Sequence, residues 1–268
     1  MGFRSSFAYA ILIILFSCSR ANTVRLTGSS TLMPPIADIA KLYEKKYSVQ
    51  VRVESGGSGR GLRDARKGVG IIGMVSRDLS SKEKNDLQYE VVAKDALAII
   101  VHQDNPVENF SLDTLKKIYT GQINKWSKFK IPLGKIIRVH KAEGRATLEV
   151  FLQALKLENK EIKPDLIAGE NQEVIKTVSS HKNAIGYVSF GAATEEIKQG
   201  AAIRIVKVNG TQPSEKTILN EKYPIRRSLV LVWKDPLSTN AKQFLKFVFS
   251  KEAGKIFQRH GFIPTLLK

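Results

Sequence analysis

The chain has 268 residues, with 43 Lys and Arg against 25 Asp and Glu, a formal net charge of +18 and a single cysteine. That length suits one large domain or two small ones, and 43% hydrophobic residues is enough to bury a core. The lysines are spread along the chain without a zinc finger, an RNP sequence or an arginine tail, so a small anion or an anionic surface is expected rather than nucleic acid.

Residues 1–18 read as a secretory signal peptide. Arg4 supplies positive charge, and the apolar run 8–16 is too short to stay in a bilayer as a span. Leu15-Phe16-Ser17-Cys18 resembles a bacterial lipobox, in which Cys18 becomes residue one and is acylated. Plain cleavage near Cys18, or after Ala21, is the alternative. Either way the mature chain is exported. With one cysteine it has no internal disulfide, so its stability comes from core packing.

The mature chain alternates short apolar strands with helices, which argues α/β architecture with parallel strands. Residues 24–27 form a strand candidate that runs into Gly28-Ser29-Ser30-Thr31. A helix with Ile36, Ile39, Ala40 and Tyr43 on one face follows. Ser30 and Thr31 therefore sit where a strand ends and a helix begins, the usual place for a ligand in an open α/β sheet. The arrangement returns at Ser55-Gly56-Gly57-Ser58-Gly59-Arg60-Gly61, between the alternating run 49–53 and a helix. Glycine lets the backbone come close to a ligand there, and the first helical turn offers unpaired N–H groups. The spacing is not the dinucleotide fingerprint, and the lysine of a nucleotide P-loop is missing.

A third apolar strand, 70–75, ends at Ser76-Arg77-Asp78. Ser76 brings a hydroxyl and Arg77 a charge, either for an oxyanion or for Asp78. Residues 89–93 and 96–102 read as two strands, and Trp126 as a packing anchor beneath a turn. The strand 136–139 leads into His140-Lys141-Ala142-Glu143-Gly144-Arg145-Ala146-Thr147 and a helix. In this third strand–turn–helix unit Gly144 permits the turn, Arg145 adds charge, Thr147 can cap or donate, and N–H groups around Arg145, Ala146 and Thr147 can face the other two turns; an ordinary loop with a solvated arginine is the alternative. The run 225–232 is a strong strand broken by Arg226-Arg227. Residues 240–249 form an amphipathic helix that continues through 250–257. The four histidines are scattered without metal-ligand spacing, so neither metal nor cofactor is expected.

Taken together, the stretches 27–31, 55–61, 73–77, 183–191, 223–227 and 261–264 resemble the periplasmic phosphate-binding proteins of ABC importers. The resemblance implies a two-lobe clamshell of the type II periplasmic binding protein kind. Two crossover strands join the lobes, and a cleft lies between them. One lobe would hold 24–94 plus 225–268 and the other 95–224. It further implies a non-enzymatic, monomeric protein that binds inorganic phosphate outside the cytoplasmic membrane and delivers it to an ABC permease. The ligand-binding residues would be Ser30, Thr31, Ser58, Gly59, Ser76, Arg77, Gly144, Arg145, Ala146 and Thr147. Ser76 stands where better-studied members carry an aspartate. Leu148 stands where the family has an arginine, with Arg145 three residues earlier. These departures keep two alternatives open: another small oxyanion, or an adhesion or signalling lipoprotein using the same fold. No paired carboxylates and no Ser-His-Asp set point to an enzyme.

Overall fold

The computed structural model describes residues 23–68 and 70–265, so the leader and Cys18 lie outside the described residues. The chain begins β1 (Thr23–Gly28), α1 (Met33–Tyr47), β2 (Gln50–Ser55), α2 (Ser58–Arg66), β3 (Ile71–Val75), α3 (Ser81–Asp86), β4 (Gln88–His102), β5 (Asn109–Phe110) and α4 (Leu112–Tyr119). It continues β6 (Ile137–Lys141), α5 (Ala146–Leu155), β7 (Leu166–Ala168), α6 (Asn171–Ser180), β8 (Ala184–Ser189), α7 (Phe190–Lys198) and β9 (Ile203–Val208). It ends α8 (Glu215–Leu219), β10 (Arg226–Trp233), α9 (Thr239–Val248), α10 (Lys251–Arg259) and β11 (Ile263–Pro264).

Four hydrophobic clusters, a large and a smaller one in each lobe, make up the core. In the first lobe, β1 pairs in parallel with β2 and β3, and α1 and α9 pack Ile36, Ile39, Tyr43, Phe244 and Val248 against the sheet. In the second lobe, β6 pairs in parallel with β7 and β8, and α4 and α5 bury Leu115, Tyr119 and Phe151. Trp126 is fully buried in this second lobe, and its indole N–H donates to the Asn183 carbonyl at 2.8 Å.

Residues 88–102 form one continuous strand rather than two. Val92 and Ala93 of β4 belong to the large cluster of the first lobe, and Ala96, Leu97, Ile99 and Val101 to that of the second. Its partner β10 runs antiparallel to both β3 and β4, so the sheet is mixed rather than wholly parallel. The strands β4 and β10 are the crossovers, and Asp95 sits directly opposite Arg227 where they pass between lobes. The long C-terminal helix expected from sequence is broken at Phe249 and Ser250. The Ser250 hydroxyl accepts from the Ala253 N–H and starts α10 as a separate helix.

Three loop-to-helix junctions face the gap between the lobes. Prolines at the first turn of α1 need no N–H partner there, and the Ser29 hydroxyl accepts from the N–H groups of Thr31 and Leu32. The turn into α2 passes through Gly57 at φ 86, a conformation that favours glycine. The turn into α5 passes through Gly144 at φ 78.

Candidate functional site

Ser29, Ser30, Gly57, Ser58, Ser76, Lys141, Arg145, Ala146, Thr147 and Gly169 line one small, tightly closed cavity between the lobes. The first helical turns of α2 and α5 open onto it from opposite sides. Apart from Gly59, whose N–H meets the opposite lobe, the N–H groups of the first two residues of each helix lack a helical partner, and with the positive ends of two helix dipoles they converge on one place. No acidic residue is among the described residues that line it. The chemistry on offer is donors and cations, which suits an anion of a few atoms.

On the first-lobe side, the Ser58 hydroxyl accepts from the Ser76 N–H at 3.1 Å and lies 3.5 Å from the Ser76 hydroxyl. This ties the end of β3 to the start of α2 and holds two hydroxyls side by side. Both serines are almost fully buried. The jaws touch: the Gly59 N–H donates to the Gly144 carbonyl at 3.2 Å. A Cβ at Gly57 would come within 2.6 Å of that same carbonyl oxygen. Gly59 and Gly144 thus form the contact by which the lobes close.

Two residues that the sequence motifs do not single out complete the site. Lys141, the last residue of β6, is 2% exposed and lines the cavity. Its ammonium donates to the Gly169 carbonyl at 3.3 Å. Burial pushes the amine down to about 7, with Arg145 and Arg227 pushing the same way and Glu170 and Glu173 opposing. Arg227 is the second. Its side chain is fully buried behind the cavity. The guanidinium reaches Asp95 through Nε at 2.9 Å and Nη2 at 2.7 Å. It also donates to the Thr31 hydroxyl and the Thr147 hydroxyl, each at 3.1 Å. One arginine thereby positions a hydroxyl from each jaw. Thr31 borders a neighbouring opening of the cleft, where Asn171 also approaches it at 3.4 Å.

The two arginines named from sequence take different places. Arg145 lines the cavity but spends one nitrogen on Glu170, at 2.8 Å. Arg77 is not among the lining residues. It forks onto Glu83 at 2.7 and 2.8 Å, and its Nε lies 2.5 Å from Glu149 on α5. The sequence expectation that Arg77 faces the anion is therefore replaced by a salt link across the lobes. The cause is the capping glutamate of α3, which sits within reach of the guanidinium and takes both of its terminal nitrogens.

A mixed-sheet clamshell with opposed helix N-termini around a closed cleft is the architecture of a small-ligand binding protein. The chain belongs to the PBP superfamily, whose domain model matches residues 17–252. Among curated proteins it is 27% identical to the phosphate-binding protein PstS of Borreliella burgdorferi, over 93% of this chain and 94% of that protein. It is 28% identical to the protein SphX of Synechococcus elongatus, over 97% and 83%. Among solved structures it resembles a phosphate ABC transporter substrate-binding protein of Clostridium perfringens with bound phosphate. That match has a TM-score of 0.84, 29% identity, and coverage of 91% of this chain and all of that one. An ABC-type phosphate transport receptor of Vibrio cholerae matches with a TM-score of 0.75 and 26% identity, over 90% and 99%.

Proposed function

We propose that the protein binds inorganic phosphate in the cleft and hands it to an ABC permease of the membrane. The observation that carries this reading is one cavity with donors from both lobes, the Lys141 and Arg145 cations, and no acidic side chain among its described lining residues. In this reading Ser30, Ser58, Ser76 and Thr147 donate hydroxyl hydrogen bonds. The N–H groups at the starts of α2 and α5 cover the remaining oxygens. Thr31 and Arg227 hold the hydroxyl frame, and Gly59 with Gly144 closes it. Binding and release, not bond making, are the events at this site. The chain works outside the cytoplasm. Acylation at Cys18 would tether it to a membrane, and mass spectrometry of the protein recovered from membranes, with Cys18→Ala as control, tests that anchor.

Titration of the purified protein with phosphate, sulfate and molybdate tests the ligand. Saturable phosphate binding is expected, and its absence at every accessible concentration would sink the assignment. One observation favours a second anion class. With Ser76 where a carboxylate would accept a proton, nothing acidic in the described lining penalises a fully ionised oxyanion. Measurable sulfate competition is therefore part of the expectation.

A further inference from the structure

Lys141 differs from Arg145 and Arg227, the other two cations at and behind the cavity, in having no ion-paired carboxylate among the described residues. No carboxylate of the described residues lies within ion-pair distance of its ammonium, and its one hydrogen bond goes to the Gly169 carbonyl at 3.3 Å. The charged and titratable groups around it are each engaged elsewhere. From α6 and the loop before it, Glu170 is held by Arg145 at 2.8 Å. Glu173 accepts from the N–H groups of Gly169 and Glu170 at 2.6 and 3.2 Å. From the turn before α5, Arg145 faces Glu170, while Glu143 is exposed and accepts from Asn159. From β10 and β4, Arg227 is locked to Asp95, which also accepts from Ser189. From β8, the Tyr187 hydroxyl accepts from the Lys141 backbone N–H at 3.2 Å and contacts His140 at 2.8 Å. His140 itself is buried, and burial lowers its tendency to take a proton.

A buried amine whose one direct partner is a carbonyl, with Glu170 and Glu173 acting only at a distance, has no carboxylate in contact to hold its proton until an anion arrives. We propose that Lys141 couples anion binding to proton uptake: the anion entering the cleft draws a proton onto the Lys141 amine, and affinity falls as pH rises above neutrality. The inference rests on the reading of the cleft as an oxyanion site. The proton comes from solvent and the neutral amine becomes an ammonium; no other bond changes. The amine is already pushed down to about 7 by burial, so a nearby negative charge moves it through the range where the protein works. An arginine in the same place would stay charged and show no such coupling. The device gives this cleft an electrostatic gain that is switched on by the ligand and by mild acidity.

The test is calorimetric titration of the full chain with phosphate, in buffers of different ionisation heat, for wild type and Lys141→Arg. Phosphate's own protonation is common to both proteins and cancels in the comparison. Wild type is expected to take up a fraction of a proton more than Lys141→Arg near pH 7. The affinity of wild type relative to Lys141→Arg is expected to drop on the order of tenfold between pH 6.5 and 8.5. Lys141→Met, checked for folding by circular dichroism, should lose both the extra proton and the slope while binding more weakly at pH 6.5. Equal proton uptake in wild type and both variants overturns the coupling and leaves phosphate binding standing. Absent phosphate binding, with Lys141-dependent uptake on sulfate or molybdate, overturns the phosphate reading and leaves the coupling. Failure of all three anions to bind overturns both.

Discussion

The first lobe lines the cavity with hydroxyls and backbone N–H groups, from Ser30, Ser58, Ser76 and the start of α2. The second lobe lines it with the same kind of helix start at Ala146 and Thr147, but adds the side-chain cations Lys141 and Arg145. The first surface is neutral and rigid. Its donors are backbone groups or hydroxyls held by short bonds such as Ser76 N–H to Ser58. The second carries the charge, some of it already spent on Glu170. The asymmetry separates two tasks. In the proposed phosphate reading the neutral jaw selects shape and hydrogen-bonding pattern, and the cationic jaw supplies attraction that is strongest once closure excludes water. Between them, the Arg227–Asp95 pair belongs to neither jaw and sets the geometry of both.

The largest effect is expected at that hinge pair. Arg227→Met removes the counter-ion of a carboxylate whose side chain is wholly buried, and also frees Thr31 and Thr147. A loss of about 3–5 kcal/mol of stability is expected from breaking one side of such a pair. Urea unfolding reads it directly. An unchanged midpoint would show that the pair does not fix the hinge and that the two jaws are independently framed.

Next comes the contact between the jaws, where two glycines invite different outcomes. Both Gly57 and Gly144 have positive φ, so alanine strains either by about 1–2 kcal/mol. At Gly57 the new Cβ would also lie 2.6 Å from the Gly144 carbonyl, whereas at Gly144 nothing lies within 4 Å. Gly57→Ala is expected to weaken phosphate binding more than tenfold by blocking closure. Gly144→Ala should lower thermal stability with a much smaller change in affinity. Equal affinity losses in calorimetry would mean that strain, not the clash across the cleft, governs both.

A smaller effect is expected at Arg145 on the cationic jaw. Its charge is shared with Glu170, and its side chain keeps 19% of its surface exposed. Arg145→Ala is therefore expected to cost about 1–1.5 kcal/mol of binding, roughly a tenfold rise in the dissociation constant. Glu170→Gln should move affinity the other way by releasing Arg145 toward the anion. A weaker-binding Glu170→Gln protein would place that carboxylate among the groups that hold the jaw in shape.

Much of this fold is legible in sequence because its signals are local. A strand, a glycine–serine turn and a helix start lie close together in the chain at 24–36 and again at 50–62, and the structure places both turns on one cavity. What escapes is the non-local chemistry. Asp95 and Arg227 are 132 residues apart in sequence and meet only because β4 and β10 pair. The available signal was a pair of arginines interrupting an otherwise apolar strand, since a charge inside such a run needs a buried partner. Lys141 stood beside a recognised turn, but a lysine at the end of a strand reads as solvated until burial is known. Arg77 followed a hydroxyl at a strand end, the right local pattern. The glutamate that claims it caps the next helix, and the second one comes from the other lobe.

That salt link is where the smallest binding effect is expected and where pH separates structure from function. Arg77 holds the Glu83 carboxyl down to about 2 from an ordinary 4.5, with Ser80 hydrogen bonds assisting. A carboxyl lowered in the folded state adds stability that is fully present above pH 4.5 and is lost as pH falls from 4.5 toward 2. Arg77→Ala removes most of that lowering. Its stability deficit against wild type, about 1–2 kcal/mol at pH 6, should therefore shrink at pH 3. Phosphate affinity should fall threefold or less, because the lost contact is the Glu149 link across the lobes rather than a ligand contact. A deficit of equal size at pH 6 and pH 3 would remove Glu83 as the partner that matters. A tenfold or larger loss of affinity would return Arg77 to the anion and make the neutral jaw cationic after all.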